Sequence, residues 1–121
     1  KHCLLAPSGL AAIAMADFAL LKTGDDVLLP ENIYNPNREL GRWLAQDFGI
    51  TARYYDPLIG AGIAALIQDN TKLIWTEAPG SVTMEVPDLP AICAALASIM
   101  AISPERLAAV STANACELFN W

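Results

Sequence analysis

Basic residues are scarce in this chain. Its 121 residues include 7 Lys and Arg against 13 Asp and Glu, which gives a formal net charge of −6 at pH 7. A protein that binds nucleic acid needs a basic patch to neutralise phosphates and displace their counterions. The charge balance therefore argues against a nucleic-acid-binding protein, and we expect no nucleic-acid partner.

Cysteine and histidine are also rare. The three cysteines, Cys3, Cys93 and Cys116, are odd in number and lack the short spacings of metal-binding pairs. The single histidine, His2, stands at the end of the chain, a poor position for a catalytic base or a ligand. We therefore expect no metal site, and we expect reduced, mostly buried thiols in a cytoplasmic protein.

The chain has no uninterrupted apolar segment of membrane-spanning length. Residues 4–21 approach that length, but Pro7-Ser8-Gly9 interrupts them and Asp17 would lie in lipid without a partner. Lys1-His2 and the small residues 14–16 are similar to parts of a signal peptide, an interpretation that we reject for the same reasons. We predict no membrane association. Because an initiator methionine is missing, we expect the chain to begin within a longer protein.

Apolar residues, by contrast, are abundant. They make up 55% of the sequence, and the mean hydropathy is +0.37, which argues against disorder. The length suits one domain with a modest core. The surplus of apolar residues suggests faces that more chain or another subunit covers.

Short apolar strands alternate with helical segments. The expected strands are 27–30, 51–55 and 72–76, and the expected helices are 10–22, 38–48, 61–68, about 89–98 after an Asp88 cap, and about 103–118. Gly24 and Gly49 are expected to end the first two helices. The second helix is expected to place its apolar residues on one side, namely Leu40, Trp43, Leu44 and Phe48.

This alternation predicts an α/β fold with a parallel sheet and helical crossovers. Ligands of such sheets bind beyond the carboxyl ends of the strands. The loops 30–37, 56–60 and 77–81 each follow a strand, so we expect them to line one edge of the sheet together. A functional site is expected at that edge.

A turn of small residues, Pro7-Ser8-Gly9, opens directly into the first helical run. Ser8 suits an ordinary helix N-cap. The N–H groups that a helix start leaves unpaired also bind phosphate, without any charged side chain. From these residues alone, both a simple cap and a phosphate site remain open.

Four segments in order resemble the pyridoxal-phosphate-dependent enzymes of cysteine and methionine metabolism. They are residues 8–13 (SGLAAI), 34–36 (YNP), 56–60 (DPLIG) and 77–86 (EAPGSVTMEV). The similarity runs from about residue 4 to about residue 98. It implies a three-layer parallel-sheet fragment of the fold type I pyridoxal-phosphate transferase large domain, with pyridoxal 5'-phosphate as cofactor, a small amino acid as substrate and a homotetramer as the intact assembly.

Within this family, the segments 56–60 and 79–86 favour the β-lyase branch. The resemblance thus implies a carbon–sulfur lyase that converts cystathionine to homocysteine, pyruvate and ammonia in methionine biosynthesis. The γ-synthases and γ-lyases, which usually have Asn where this chain has Ser81, are the alternative. A generic nucleotide-binding domain is a weaker interpretation, because the chain has neither a Gly-x-Gly-x-x-Gly motif nor a P-loop.

The resemblance implies cofactor-binding roles for five residues. Ser8, Gly9 and Leu10 fall where family members bind the phosphate through backbone amides. Tyr34 falls on the tyrosine that stacks over the pyridine ring, with its phenol near the reacting carbon, and is the catalytic candidate. Ser81 is expected near the ring hydroxyl. Without the resemblance, Tyr34 would be interpreted as a loop tyrosine that caps the core.

Other polar residues have simpler interpretations. Asp25-Asp26 and Asp56 are expected to cap turns. Lys72 is expected to be a solvated lysine at the start of a strand, because it precedes the third strand and so falls at the wrong place for the family's Schiff-base lysine. For Glu77, a role in supporting the site and a structural hydrogen bond remain open.

The resemblance ends at about residue 98. The family's Schiff-base lysine and the aspartate that pairs with the pyridinium nitrogen belong beyond that point, and residues 99–121 show neither. We therefore divide the chain into a partial cofactor-binding large domain, 1–98, and a divergent tail, 99–121, with a possible helix. We expect the chain alone to be inactive, since it lacks the covalent anchor. A truncated product that only folds or assembles is the non-catalytic alternative.

Overall fold

The computed structural model of the protein describes the backbone of residues 5–119 and the side chains of residues 5–110, 112 and 113. The described residues do not include His2, Cys3 or the side chain of Cys116, so the predictions made for these residues stay predictions. Cys93 is half-buried and unpaired within the described chain.

Four helices and three strands make up the described chain, with a short 3-10 helix between the second and third strands. In order, they are α1 Gly9–Leu20, β1 Asp26–Pro30, α2 Asn35–Asp47, β2 Thr51–Tyr55, the 3-10 helix Gly60–Leu66, β3 Thr71–Ile74, α3 Leu89–Ile99 and α4 Pro104–Phe119. All three strands are parallel, in the order β2-β1-β3.

Helices cover both faces of the sheet. Val27 and Leu29 of β1 pack with Leu40 and Leu44 of α2 and with Ile13 of α1. On the opposite face, a second core contains Leu28 of β1, Tyr55 of β2, Ile63 of the 3-10 helix and Ile92 of α3. Because β1 is buried on both faces, its apolar residues are continuous rather than alternating. The predicted α/β class and three-layer arrangement are confirmed.

The two ends of α2 differ in how well they were predicted. The helix begins at Asn35, three residues earlier than expected, because Pro36 suits the first turn of a helix and lacks the N–H that such a turn leaves unpaired. The expected stop at Gly49 is confirmed: this residue has φ +63° directly after the C-cap Phe48.

Gly24 does not end α1, contrary to the prediction. The helix stops at Leu20 with Leu21 as its C-cap in an extended conformation. Gly24 instead lies in the turn that follows, where the Asp25 amide donates to the Lys22 carbonyl at 3.0 Å. The buried side chain of Leu21 explains the early stop, since it turns into the core that the helix covers.

The later elements follow the predictions within a few residues. Asp88 caps α3 by accepting a hydrogen bond from the Ala91 amide at 2.9 Å. The expected last helix is present as α4, where the Ser103 hydroxyl accepts from the Arg106 amide. The segment expected as a helix at 61–68 is the 3-10 helix, and β3 ends at Ile74 rather than Thr76.

Two of the three carboxylates expected in turns cap them. Asp25 accepts from the Lys22 amide and Asp56 from the Leu58 amide, each at 2.8 Å. The prediction for Asp26 was wrong. Asp26 is fully buried in β1, where both of its carboxylate oxygens accept from the Arg53 guanidinium at 2.6 Å. A charged side chain on a central strand finds its partner on the neighbouring strand rather than in a turn.

The expected apolar face of α2 is divided in two. Leu40 and Leu44 are buried, but Trp43 is 44% exposed and Phe48 is 37% exposed. Together with Phe18 of α1 they form a group of edge-to-face rings with centroids 4.9 to 6.0 Å apart. This group, the aromatic cluster, lies on the surface where α1 meets α2. The four residues follow the predicted apolar spacing, but only the two leucines are buried.

In the described part of the chain, no single helix has the length and apolar composition to cross a membrane. Taken together, Leu89–Ile99 and Pro104–Val110 pass that test, but the two helices are bent by 106° with respect to each other.

Candidate functional site

A cavity of about 540 Å³ opens at the carboxyl edge of the sheet. The residues that the resemblance implicated all line it: Ser8, Gly9, Leu10, Tyr34 and Ser81. They come from three separate parts of the chain, namely the start of α1, the loop after β1 and the loop after β3. The fold therefore brings the five residues together, while their roles in binding remain predictions.

The start of α1 contributes backbone N–H groups to this cavity. The Ser8 hydroxyl accepts from the Ala11 amide at 3.1 Å, and its carbonyl accepts from the Ala12 amide at 3.0 Å. Within the described chain, the amides of Gly9 and Leu10 donate to no acceptor. A Cβ built on Gly9 would meet no atom within 4 Å. Ser8 is thus the N-cap, and it leaves two N–H groups and open space for an anion.

Tyr34 lies partly at the surface. The residue is 43% exposed, which is more typical of a surface tyrosine than of one that caps the core. The residue is the N-cap of α2, and its carbonyl accepts from the Asn37 amide at 2.9 Å. An exposed aromatic face on the wall of a cavity is available for stacking against a planar ligand.

Glu77 connects two of the implicated residues. One of its carboxylate oxygens accepts from the Tyr34 amide at 2.8 Å, and the other accepts from the Ser81 hydroxyl. The sequence left open whether Glu77 supports the site or makes a structural hydrogen bond. The two interpretations are compatible, because its hydrogen bonds are structural and lie in the wall of the candidate site.

Trp75 also lines the cavity, and the sequence analysis gave it no such role. Its indole N–H donates to the Asp17 carboxylate at 2.9 Å. Asp17 is only 2% exposed, and burial raises its pKa above the usual value of 3.8, although the bond from Trp75 opposes this shift. The signal available in the sequence was the position of Trp75 near the carboxyl end of the expected strand 72–76, where ligands of parallel sheets bind.

Asn37 is a second residue that sequence reasoning missed. It lines the cavity and is 2% exposed, yet its side-chain oxygen has no hydrogen-bond partner within the described chain. A buried amide oxygen without a partner costs about 1–3 kcal/mol. Nothing in the sequence distinguished Asn37 from the other polar residues of its segment.

A smaller cavity of about 350 Å³ adjoins the same edge. The loop 56–60 contributes Asp56 and Pro57 here rather than to the main cavity, so the three loops expected to meet divide between two neighbouring cavities. Glu85 accepts from the Asn32 amide group at 2.9 Å and from the Thr83 hydroxyl. These bonds, from Thr83 first and Asn32 second, hold the pKa of Glu85 below its usual value.

Lys72 stands apart from both cavities. It is exposed near the amino end of β3, where its ammonium group donates to the Asp69 carbonyl at 3.0 Å. Its interpretation as a solvated lysine at a strand start is confirmed. Among the described residues, no lysine lines the main cavity. The cavity thus offers groups suited to a phosphate and a planar ring, but no amine for a covalent anchor.

Comparison with known proteins agrees with this geometry. The model of the Cys/Met metabolism PLP-dependent enzyme family matches residues 1–103. Cystathionine beta-lyase MetC of Escherichia coli is 43% identical over 98 residues, which are 81% of this chain and 25% of that protein. Cystathionine beta-lyase of Haemophilus influenzae is 46% identical over 90 residues, which are 74% of this chain and 23% of that protein.

The structural likeness points the same way. Cystathionine gamma-lyase from Lactobacillus plantarum, solved in complex with L-serine, superposes with a TM-score of 0.67 at 28% identity over 78% of this chain and 24% of that one. The chain therefore spans about a quarter of the length of the relatives it matches. Its sheet, its site segments and its matched length together show that the chain belongs to the pyridoxal-phosphate-dependent enzymes of cysteine and methionine metabolism.

Proposed function

We propose that this chain forms the cofactor-binding part of a carbon–sulfur lyase of the cystathionine β-lyase type. The observation that carries the proposal is the single cavity lined by Ser8, Gly9, Leu10, Tyr34 and Ser81. Membership of the family supports pyridoxal 5'-phosphate as the ligand. The identity to β-lyases, 43% and 46%, is greater than the 28% identity to the γ-lyase structure. This difference supports β-elimination from cystathionine as the reaction of the intact protein.

The first turn of α1 would hold the phosphate. The free amides of Gly9 and Leu10 point from a helix N-terminus, where the helix dipole adds partial positive charge. No cationic side chain lines the cavity among the described residues. Phosphate binding here would therefore depend on backbone donors, whose positions the helix itself determines.

The loops after β1 and β3 would hold the ring. The exposed side chain of Tyr34 would stack against a planar pyridine, and Ser81 lines the same cavity. The side-chain oxygen of Asn37, which has no partner among the described residues, would be available to a ligand donor. When bound, the cofactor supplies the electron sink that stabilises a carbanion at the α-carbon of an amino acid.

The chain alone would be inactive. The described residues place no lysine in the cavity, so they offer neither the amine that anchors the aldehyde nor the base such an amine provides. Purified chain with pyridoxal 5'-phosphate and cystathionine is expected to release no pyruvate. Pyruvate above the level of a cofactor-only control would contradict this expectation.

Binding is tested separately from catalysis with pyridoxamine 5'-phosphate. This molecule has the phosphate and ring of the cofactor but no aldehyde, so it cannot form imines with exposed lysines such as Lys72. Isothermal titration is expected to show one saturable site. Absence of saturable binding would contradict the proposal and favour a chain that only folds or assembles.

A γ-lyase or γ-synthase activity is the second candidate, favoured by the structural likeness to the Lactobacillus plantarum γ-lyase. The full-length protein distinguishes the two reactions by its product. Pyruvate from cystathionine indicates β-elimination, whereas 2-oxobutyrate indicates γ-elimination. The intact protein is proposed to be a cytoplasmic homotetramer, which sedimentation of the full-length protein tests.

A further inference from the structure

We propose that Glu77 is a positioning residue of the main cavity, one that holds Tyr34 and Ser81 in their binding geometry before a ligand arrives. The inference rests on the proposed function, since it concerns the residues expected to contact the cofactor. Glu77 itself need not touch the ligand. Its role is to set the position of two groups that do.

Both oxygens of the Glu77 carboxylate are used, one for each group. One accepts from the Tyr34 backbone amide at 2.8 Å, and the other accepts from the Ser81 hydroxyl. Tyr34 follows β1, while Glu77 and Ser81 follow β3, and the two strands are neighbours in the sheet. One side chain thus connects two of the loops that line the cavity.

Tyr34 depends on this contact more than a buried residue would. Tyr34 is 43% exposed and its side chain makes no capping hydrogen bond, so packing holds it less firmly than it would hold a buried residue. Its backbone N–H lies before the first turn of α2, where no helical acceptor is available. The bond to Glu77 therefore fixes the peptide from which the ring projects.

Fixing these groups in advance favours binding. If the Tyr34 ring and the Ser81 hydroxyl were mobile before binding, the conformational entropy lost when a ligand orders them would lower its affinity. A hydrogen bond to a carboxylate is also stronger than one between neutral groups. Loss of the charge on Glu77 should therefore weaken binding even if the chain remains folded.

Glu85 provides a matched comparison within the same loop. Its carboxylate also accepts from both loops, through the Asn32 amide group and the Thr83 hydroxyl. It lines the neighbouring cavity, and its described side-chain hydrogen bonds involve neither Tyr34 nor Ser81. If the only role of Glu77 were to connect the two loops, replacing Glu77 and replacing Glu85 would weaken ligand binding equally.

The first measurement is isothermal titration of the chain with pyridoxamine 5'-phosphate. We expect Glu77→Gln to raise the dissociation constant about tenfold or more, because one acceptor oxygen is lost and the remaining one no longer carries charge. We expect Glu85→Gln to change it less than about twofold. Equal weakening in the two variants would overturn the proposal, since Glu77 would then only connect the loops.

The second measurement needs no ligand. Hydrogen exchange at the Tyr34 amide is expected to be slow in the unmodified chain and in Glu85→Gln, and faster in Glu77→Ala. Unchanged exchange in Glu77→Ala would overturn the positioning role; should that variant fail to fold, exchange in Glu77→Met, which keeps the side-chain length but has no acceptor oxygen, decides. If the unmodified chain does not bind the probe but exchange at Tyr34 depends on Glu77, the proposed function fails and the local role of Glu77 stands.

Discussion

At the scale of single residues, Asp17 has an unusual environment. It is a buried carboxylate on α1 whose described hydrogen bond comes from Trp75, and burial raises its pKa above 3.8. A carboxyl group with a raised folded-state pKa destabilises the fold once the pH exceeds the unfolded-state pKa. The cost is complete above the folded-state pKa and absent in acid.

Asp17→Asn is therefore expected to stabilise the chain at pH 7. The amide oxygen can still accept from Trp75, but no charge is buried. The gain corresponds to about 1.4 kcal/mol for each unit by which the pKa is raised. Urea unfolding of both proteins from pH 3 to pH 7 measures it, and the difference should vanish toward pH 3. A difference independent of pH would show that charge burial is not the cause.

Gly9 offers a second test at this scale. Ala at this helical position is expected to stabilise the chain by up to about 1 kcal/mol, because Gly is a poor helix former and a Cβ meets nothing within 4 Å. The same methyl group would stand beside the free amides and weaken binding of pyridoxamine 5'-phosphate. Urea unfolding and titration measure the two effects.

Ala12→Gly is the matched control for Gly9→Ala. It lies on the same helix but does not line the cavity, so it should lower stability by about 1 kcal/mol and leave binding unchanged. Tighter binding by the Gly9→Ala chain would argue against a phosphate at the start of α1.

Residue roles could be predicted from the sequence where they are local. Ser8 and Asp88 each cap a helix through the amide three residues ahead, so the sequence spacing alone reveals the contact. The bonds from Tyr34 to Glu77 and from Trp75 to Asp17 join residues 43 and 58 positions apart. Such contacts depend on how the elements pack, which single-residue patterns do not encode.

At the scale of elements, the ion pair between buried Asp26 and half-buried Arg53 connects β1 to β2. Arg53 also donates to the Leu66 carbonyl at 2.7 Å, and the Thr71 hydroxyl of β3 donates to Asp26 at 2.6 Å. The bond from Arg53 is the main cause that holds the pKa of Asp26 below 3.8. One polar group thus connects all three strands.

Asp26→Asn is expected to destabilise the chain by about 3 kcal/mol at pH 7, because it leaves the Arg53 charge without its partner. The carboxylate stabilises the fold above the unfolded-state pKa, and this contribution is lost as the pH falls through the lower folded-state value. Urea unfolding should therefore show the variant and the unmodified chain converging in acid.

Glu39→Gln serves as the control for that variant. It breaks the exposed pair with Arg42 on α2 and should change stability by less than about 0.5 kcal/mol. Equal losses from the two substitutions would show that burial of the Asp26 pair contributes nothing.

Strand and helix types were predictable from periodicity, whereas some boundaries and faces were not. β2 was predicted to the residue, since its β-forming side chains lie between clear turn signals. Trp43 fits the apolar spacing of α2 but lies outside the buried face, because α1 covers only part of that helix. The part of a helix surface that a neighbouring element covers depends on how the whole chain packs, so the periodicity of one helix does not predict it.

At the scale of the whole molecule, a large apolar surface remains exposed. It includes the aromatic cluster of Phe18, Trp43 and Phe48 and the loop residues Val82 and Met84. Since the chain spans about a quarter of its relatives' length, we interpret much of this surface as area that other parts of a family enzyme cover. The expected surplus of apolar faces agrees with these exposures.

The isolated chain is therefore expected to self-associate as its concentration rises. Sedimentation velocity should show an average mass above 12.9 kDa that grows with concentration. A single species of 12.9 kDa at all concentrations would contradict this expectation. Full-length protein, measured alongside, should instead give one species of constant mass.

The indole of Trp75 has a further consequence for experiments on this protein. It is half-buried in the wall of the main cavity, whereas Trp43 lies on the outer surface between α1 and α2. A ligand with an absorbing pyridine ring would thus come to rest beside Trp75 and away from Trp43. The third tryptophan, Trp121, lies outside the described residues, and replacing both Trp43 and Trp121 by Phe would leave Trp75 as the sole fluorescent indole of the chain.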